Sequence, residues 1–116
     1  MLATSYGEGF GIPTIEAQAC GTPVIVSEFA ASTELMGDGW LVEGQPLWDA
    51  PQSSWFNTPR VPGIVDALEQ AYQRGQGTSE KAVEFASGYN ADSVFNKYWK
   101  PALRVLGAKG TERPTP

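Results

Sequence analysis

The chain has 116 residues, with 8 Lys and Arg against 13 Asp and Glu, no His and a net charge of -5. That length is one domain, able to bury roughly two thirds of its unfolded surface; the acidic balance argues against a nucleic-acid partner, and the lack of His removes His-based triads and His–Cys zinc sites. No apolar run approaches the roughly 18 residues of a membrane span and no signal peptide is evident, so the expectation is a cytoplasmic globular protein.

In chain order, residues 1–5 are short and apolar enough to end a buried strand. Gly7, Gly9 and Gly11 then alternate around Glu8 and Phe10, a loop in which positive φ is allowed and the main chain is open to a ligand. Pro13 suits the first turn of a helix, and Gly21 with Pro23 stops it, which predicts a helix over residues 13–20. The unpaired N–H groups and positive dipole at that helix start make an anion site, with phosphate the usual occupant. Cys20, the lone cysteine, sits among Ala17, Ala19 and Gly21 and is expected in the core.

The β-branched run Val24-Ile25-Val26 predicts a strand over residues 23–27 that is covered on both faces. A short helix over 31–36 ends at Gly37-Asp38-Gly39, and a strand over 40–43 follows. Alternating strand and helix implies right-handed crossovers and a parallel sheet, with a ligand at the carboxyl ends of the strands. Residues 44–62 hold Pro46, Pro51, Pro59 and Pro62 without periodicity and read as a long loop. Trp48, Trp55 and Phe56 are expected to pin it to the domain; stacking on a sugar or base is the other use such aromatics have.

The remainder reads as helical. Ile64, Val65, Leu68, Ala71 and Tyr72 recur at helical spacing, opened by Thr58-Pro59 or Pro62 and closed by Gly75. A short helix over 79–86 precedes one over 91–106, where Val94, Phe95, Tyr98 and Trp99 form a stripe and Pro101 should kink or restart the helix. Residues 108–116 read as a flexible tail after a domain over 1–107. The expected fold is α/β: a partial Rossmann-like parallel sheet of about three strands with helices, then an α-helical C-terminal segment.

Glu8 and Glu16 lie on either side of Gly-Phe-Gly-Ile-Pro-Thr-Ile, and the run from Ser5 to Ile25 reads Ser-Tyr-Gly-Glu-Gly-Phe-Gly-Ile-Pro-Thr-Ile-Glu-Ala-Gln-Ala-Cys-Gly-Thr-Pro-Val-Ile. This resembles the Glu-x7-Glu signature of retaining glycosyltransferases of the GT-B fold, most similar to family 4. The likeness continues more weakly through Glu34-Leu35 and Asp38-Gly39 to Leu41-Val42.

The resemblance implies the later part of a C-terminal nucleotide-sugar-binding domain, in an enzyme that transfers a sugar from a nucleotide diphosphate with retention. It assigns Glu8 to hydroxyls of the donor sugar and Glu16 to the ribose. Gly9 and the main-chain amides of Phe10, Gly11 and Ile12 go to sugar or phosphate, and the Thr14 hydroxyl is a further donor contact. It implies no metal and no cofactor beyond the donor itself. The acceptor-binding N-terminal domain and the upstream strands of the nucleotide domain are absent, so the isolated chain is expected to be inactive. Arg60, Arg74 and Lys81 do not match the family's phosphate-neutralising context. A three-stranded sheet also leaves an edge at residues 1–5 through which the chain could self-associate. Two other classes stay open: a non-catalytic nucleotide-sugar-binding module, and an assembly fragment with a vestigial site.

Overall fold

The computed structural model describes residues 1–110, which divide into two compact units, the first ending at Ala86 and the second starting at Ser87. In the first unit β1 (Leu2–Ala3), β2 (Val24–Ser27) and β3 (Gly39–Val42) form a parallel sheet in the order β1-β2-β3. Leu2 pairs with Ile25, and Val24 through Ser27 pair in register with Gly39 through Val42. The central strand β2 is buried along its whole length, as its β-branched composition requires of a strand covered on both faces. β1 differs from the sequence expectation: it is an edge strand with Leu2 half exposed, because only β2 pairs with it.

Between β1 and β2 runs α1 (Ile12–Ala19), which stops as the sequence predicts. Gly21 takes a positive φ of 74°; its N–H donates to Gln18 O at 2.8 Å and that of Thr22 to Ala17 O at 2.9 Å, the paired bonds of a Schellman cap. A Cβ at Gly21 would also strike the Thr78 methyl, so this position excludes a side chain twice over. Cys20, expected in the core, is exposed, standing as the C-cap just past the end of α1. α2 (Ala31–Glu34) is a single turn leading to β3.

Residues 44–62 are not a loop. β4 (Gly44–Asp49) and β5 (Ser54–Pro59) form an antiparallel hairpin, with Leu47 opposite Phe56 and Trp48 opposite Trp55. The prolines that read as breakers are tolerated because both strands are edges, where a missing N–H need not break a ladder. The reversal is closed by Ser53 N–H to Ala50 O and Gln52 N–H to the Asp49 carboxylate. Trp48 and Trp55 are half exposed and pack on each other, T-shaped at 5.3 Å, so they do not pin the segment; Phe56, partly buried, does.

α3 (Val61–Arg74) returns across the sheet and ends at Gly75, also at positive φ. Ile64, Ala67 and Ala71 pack with Ile25, Trp40 and Val42 as a core cluster. Of the other periodic residues, Val65, Leu68 and Tyr72 are exposed. A small three-stranded sheet covers only the strip centred on Ala67, and hydrophobic periodicity does not say how wide the covered strip is. α4 (Glu80–Ser87) buries Ala82 and Ala86.

In the second unit α5 (Ala91–Val94) is capped by Asn90, whose Oδ1 accepts from Asp92 N and Ser93 N. The chain then widens into a π-helical turn, Phe95–Trp99, before α6 (Lys100–Gly110). Pro101 stands at the start of α6, so the proline restarts the helix, and the turn before it absorbs the lost hydrogen bond. Phe95, Tyr98 and Trp99 are exposed. The tail expected from residue 108 is helical as far as Gly110, and its remainder, 111–116, lies outside the described residues.

Candidate functional site

The glycine loop leaves the carboxyl end of β1 and enters α1, at the edge of the sheet where strand C-termini in parallel α/β folds meet ligands. Its first half is held. Ser27 Oγ donates to Ser5 O at 2.6 Å, and Asn57 N–H in β5 donates to Tyr6 O at 2.9 Å. Phe56 of β5 stands against Gly7. Its second half is open: Glu8, Gly9 and Phe10 are exposed, and a Cβ on Gly9 would meet nothing within 4 Å.

Of the three glycines only Gly11 takes a positive φ, 80°, in the left-handed region. It is the N-cap of α1, and no side chain caps that helix. Pro13 in the first turn carries no N–H, and Thr14 N–H turns back to Gly11 O at 2.9 Å. The helix end therefore presents main chain rather than side chain to its surroundings, and its dipole is positive there.

Glu8 runs its Cγ beside Gly11, 3.9 Å from where a Cβ would stand. Glu16 is exposed one turn into α1. Thr14 and Gln18 are two residues either side of Glu16, about 200° around the helix at 100° per residue, and both are buried. Thus the acidic face points outward while Thr14, read from sequence as a ligand hydroxyl, packs beneath Gly11 with its Oγ1 3.6 Å from the Cβ position.

Gln18 was no candidate on sequence grounds, yet it organises the helix. Its amide is fully buried, with Nε2 donating to Thr14 O (3.1 Å) and Leu35 O (2.8 Å), and Oε1 accepting from Gly37 N (2.8 Å) and Asp38 N (3.1 Å). The one available signal was a long polar residue one turn from Thr14 on the inward face.

Two of the cations set aside from the sequence, Arg74 and Lys81, stand beside Asp38. Asp38, nearly buried, accepts from Arg74 at 2.7 Å and from Ser79 Oγ at 2.5 Å, with Lys81 Nζ 4.0 Å away. The Arg74 hydrogen bond holds the Asp38 carboxyl below its ordinary value, helped by Ser79 and opposed by burial. Arg74 also lies over the Trp40 ring at 5.8 Å. Arg60 faces elsewhere, lining a cleft of ≈ 450 Å³ along β3 and α3 with Glu43, Asp66 and Gln70, and no glycine-loop residue borders that cleft. Glu8, Gly9 and Phe10 thus stand as an exposed ledge beside the start of α1.

Residues 1–52 match a family described as "Glycosyl transferases group 1". The chain belongs to this family. Among curated group 1 relatives, it is 37% identical over 118 residues to the D-inositol 3-phosphate glycosyltransferase of Mycobacteroides abscessus, covering 96% of this chain and 23% of that protein. The corresponding enzyme of Mycolicibacterium smegmatis is 31% identical over 97 residues, or 81% of this chain and 20% of that protein. The O-antigen chain mannosyltransferase B of Escherichia coli is 47% identical over 78 residues, or 60% of this chain and 20% of that protein. The chain thus spans about a fifth to a quarter of the length of these curated relatives. No solved structure gives a significant match. The group 1 match contains the whole Glu8–Glu16 ledge and stops before β5. No helix among the described residues is long and apolar enough to cross a membrane.

Proposed function

We propose that the chain is the donor-binding part of a retaining glycosyltransferase that moves a sugar from a nucleotide diphosphate sugar to a carbohydrate-bearing acceptor. The observation that carries this reading is the uncapped N-terminus of α1, entered through Gly11 in the left-handed region and flanked by two exposed carboxylates, Glu8 and Glu16. The leaving group is a diphosphate whose charge grows as the glycosidic bond breaks, and fixed main-chain dipoles stabilise such charge without reorganising. The amides around Phe10, Gly11 and Ile12 would take the sugar and phosphate oxygens across the open Gly9. The two carboxylates accept hydrogen bonds from neutral polyols, Glu8 from the donor sugar and Glu16 from the ribose, so neither anion opposes the phosphate. Thr14 supports Gly11 from beneath.

The relatives named above carry different acceptors in their names, one an inositol phosphate and the other an O-antigen chain, so the shared chemistry is the donor side. Bringing donor and acceptor together supplies a large part of the rate of a transfer reaction. The isolated chain should therefore bind donor without transferring sugar.

Calorimetry on the wild type, Glu8→Gln and Glu16→Gln with a nucleoside diphosphate and its sugar conjugate tests the reading. Glu16→Gln should weaken both ligands by about 1–3 kcal/mol, the range for a hydrogen bond to a charged group lost at a binding site. Glu8→Gln should weaken the sugar conjugate and spare the bare diphosphate. Equal losses of both ligands in Glu8→Gln would remove the sugar assignment, and a wild type that binds neither would leave an assembly role.

A further inference from the structure

We propose that the β4–β5 hairpin is a positioning element for the glycine loop, acting through the Phe56 ring and the Asn57 amide; this rests on the reading of that loop as the donor site. β5 lies beyond the group 1 match, in the stretch that read as a loop, so nothing in the family resemblance assigns it this task. Three consecutive loop residues are anchored: Ser5 by Ser27 Oγ, Tyr6 by Asn57 N–H, and Gly7 by the Phe56 ring, 3.2 Å from where a Cβ would stand. The Phe29 ring lies 3.8 Å from the same position.

Two of the anchors, those at Tyr6 and Gly7, come from adjacent residues of β5. The anchors hold main chain rather than bury side chains, since Tyr6 and Gly7 are themselves exposed, and the next side chain after them is that of the exposed Glu8. The hairpin therefore fixes the main chain up to Gly7 and with it the direction in which Glu8 leaves the body. A glycine-rich segment without such anchors has much conformational freedom to lose when a ligand binds, and pre-ordering it lowers that cost. The root of the hairpin is itself fixed, since the buried Asn57 side chain lies across Gly44 at the start of β4, where a Cβ would collide with it. Asn57 Nδ2 is buried there without a hydrogen-bond partner.

The test compares the wild-type chain with Phe56→Ala and Phe56→Leu, measuring backbone order parameters and amide exchange at residues 7–11 together with affinity for UDP-glucose and GDP-mannose. Phe56→Ala should lower order at Glu8, Gly9 and Phe10 and weaken whichever probe binds by roughly tenfold, the cost of reordering about one residue. Phe56→Leu should restore most of both, and β2 and α3 should be unchanged throughout. Unchanged loop order in a folded Phe56→Ala would overturn the proposal. If the wild type binds neither probe, the donor reading fails while the order parameters still decide the hairpin's role. Should Phe56→Ala not fold, Gly7→Ala presses the same contact from the other side. Its loop shifts should be relieved when combined with Phe56→Leu, and simple additivity of the two would overturn the proposal.

Discussion

Gln18 Nε2 donates to the carbonyl of Leu35 at 2.8 Å, joining the last turn of α1 to the C-cap of α2 across 17 residues of sequence. With the bonds from Gly37 N and Asp38 N to Oε1, one buried amide ties the helix that carries Glu16 to the turn that begins β3.

Replacing Gln18 with Leu keeps the volume and removes every bond, so that two N–H groups and two carbonyls lose their partner in the amide. We expect a loss of about 3 kcal/mol or more in urea unfolding. Gln18→Glu keeps an acceptor for the two amides but turns a second oxygen toward two carbonyls. Burial and those carbonyls raise its folded pKa above the unfolded value of about 4.3, so its destabilisation should grow as pH rises through and above that value. A Gln18→Glu defect that does not change with pH would count against the geometry.

Asp38 supplies the acid limb of the stability profile. Arg74 and Ser79 depress its folded pKa, so its stabilisation is fully present above the ordinary unfolded value of about 4 and is lost as pH falls below it. Asp38→Asn should therefore lose stability relative to wild type at neutral pH, with the difference shrinking in acid. Arg74→Met, which keeps a stem over Trp40, should reproduce that pH signature. Parallel wild-type and mutant curves across the acid range would rule Asp38 out as the titrating group.

The Trp48–Trp55 pair sits at 5.3 Å with an interplanar angle of 62° on a hairpin exposed on that side. Edge-to-face aromatic pairs contribute about 0.5–1.5 kcal/mol beyond buried area. A double-mutant cycle of Trp48→Ala and Trp55→Ala should return a coupling in that range. A coupling near zero would mean the rings do not pair in solution.

The run from Ser5 to Ile25 was legible because its signals are local. Gly11, Pro13, Gly21 and Pro23 each act on their own φ or on a missing N–H, and Val24-Ile25-Val26 declares a strand covered on both faces whatever its neighbours are. The family, the parallel three-stranded sheet and the positions of Glu8 and Glu16 on loop and helix follow from those residues. The hairpin was not legible, since Pro46 and Pro59 weaken any strand signal until it is known that both strands are edges.

Sequence by itself therefore determined the elements whose conformation is set within a turn or two of chain, and with them the ledge at the start of α1. Tertiary structure alone decided which polar groups are buried together and which apolar ones are left out. Gln18 meets Leu35, Gly37 and Asp38, and Arg74 meets Asp38, across 17 to 36 residues. Cys20 and Tyr72 face solvent although their type favours burial. The physical reason is that burial and hydrogen-bond partnership belong to the packed arrangement: a side chain's own preference is weighed against the surface its neighbours leave uncovered, and that surface exists only once the sheet, α1, α3 and the hairpin have come together.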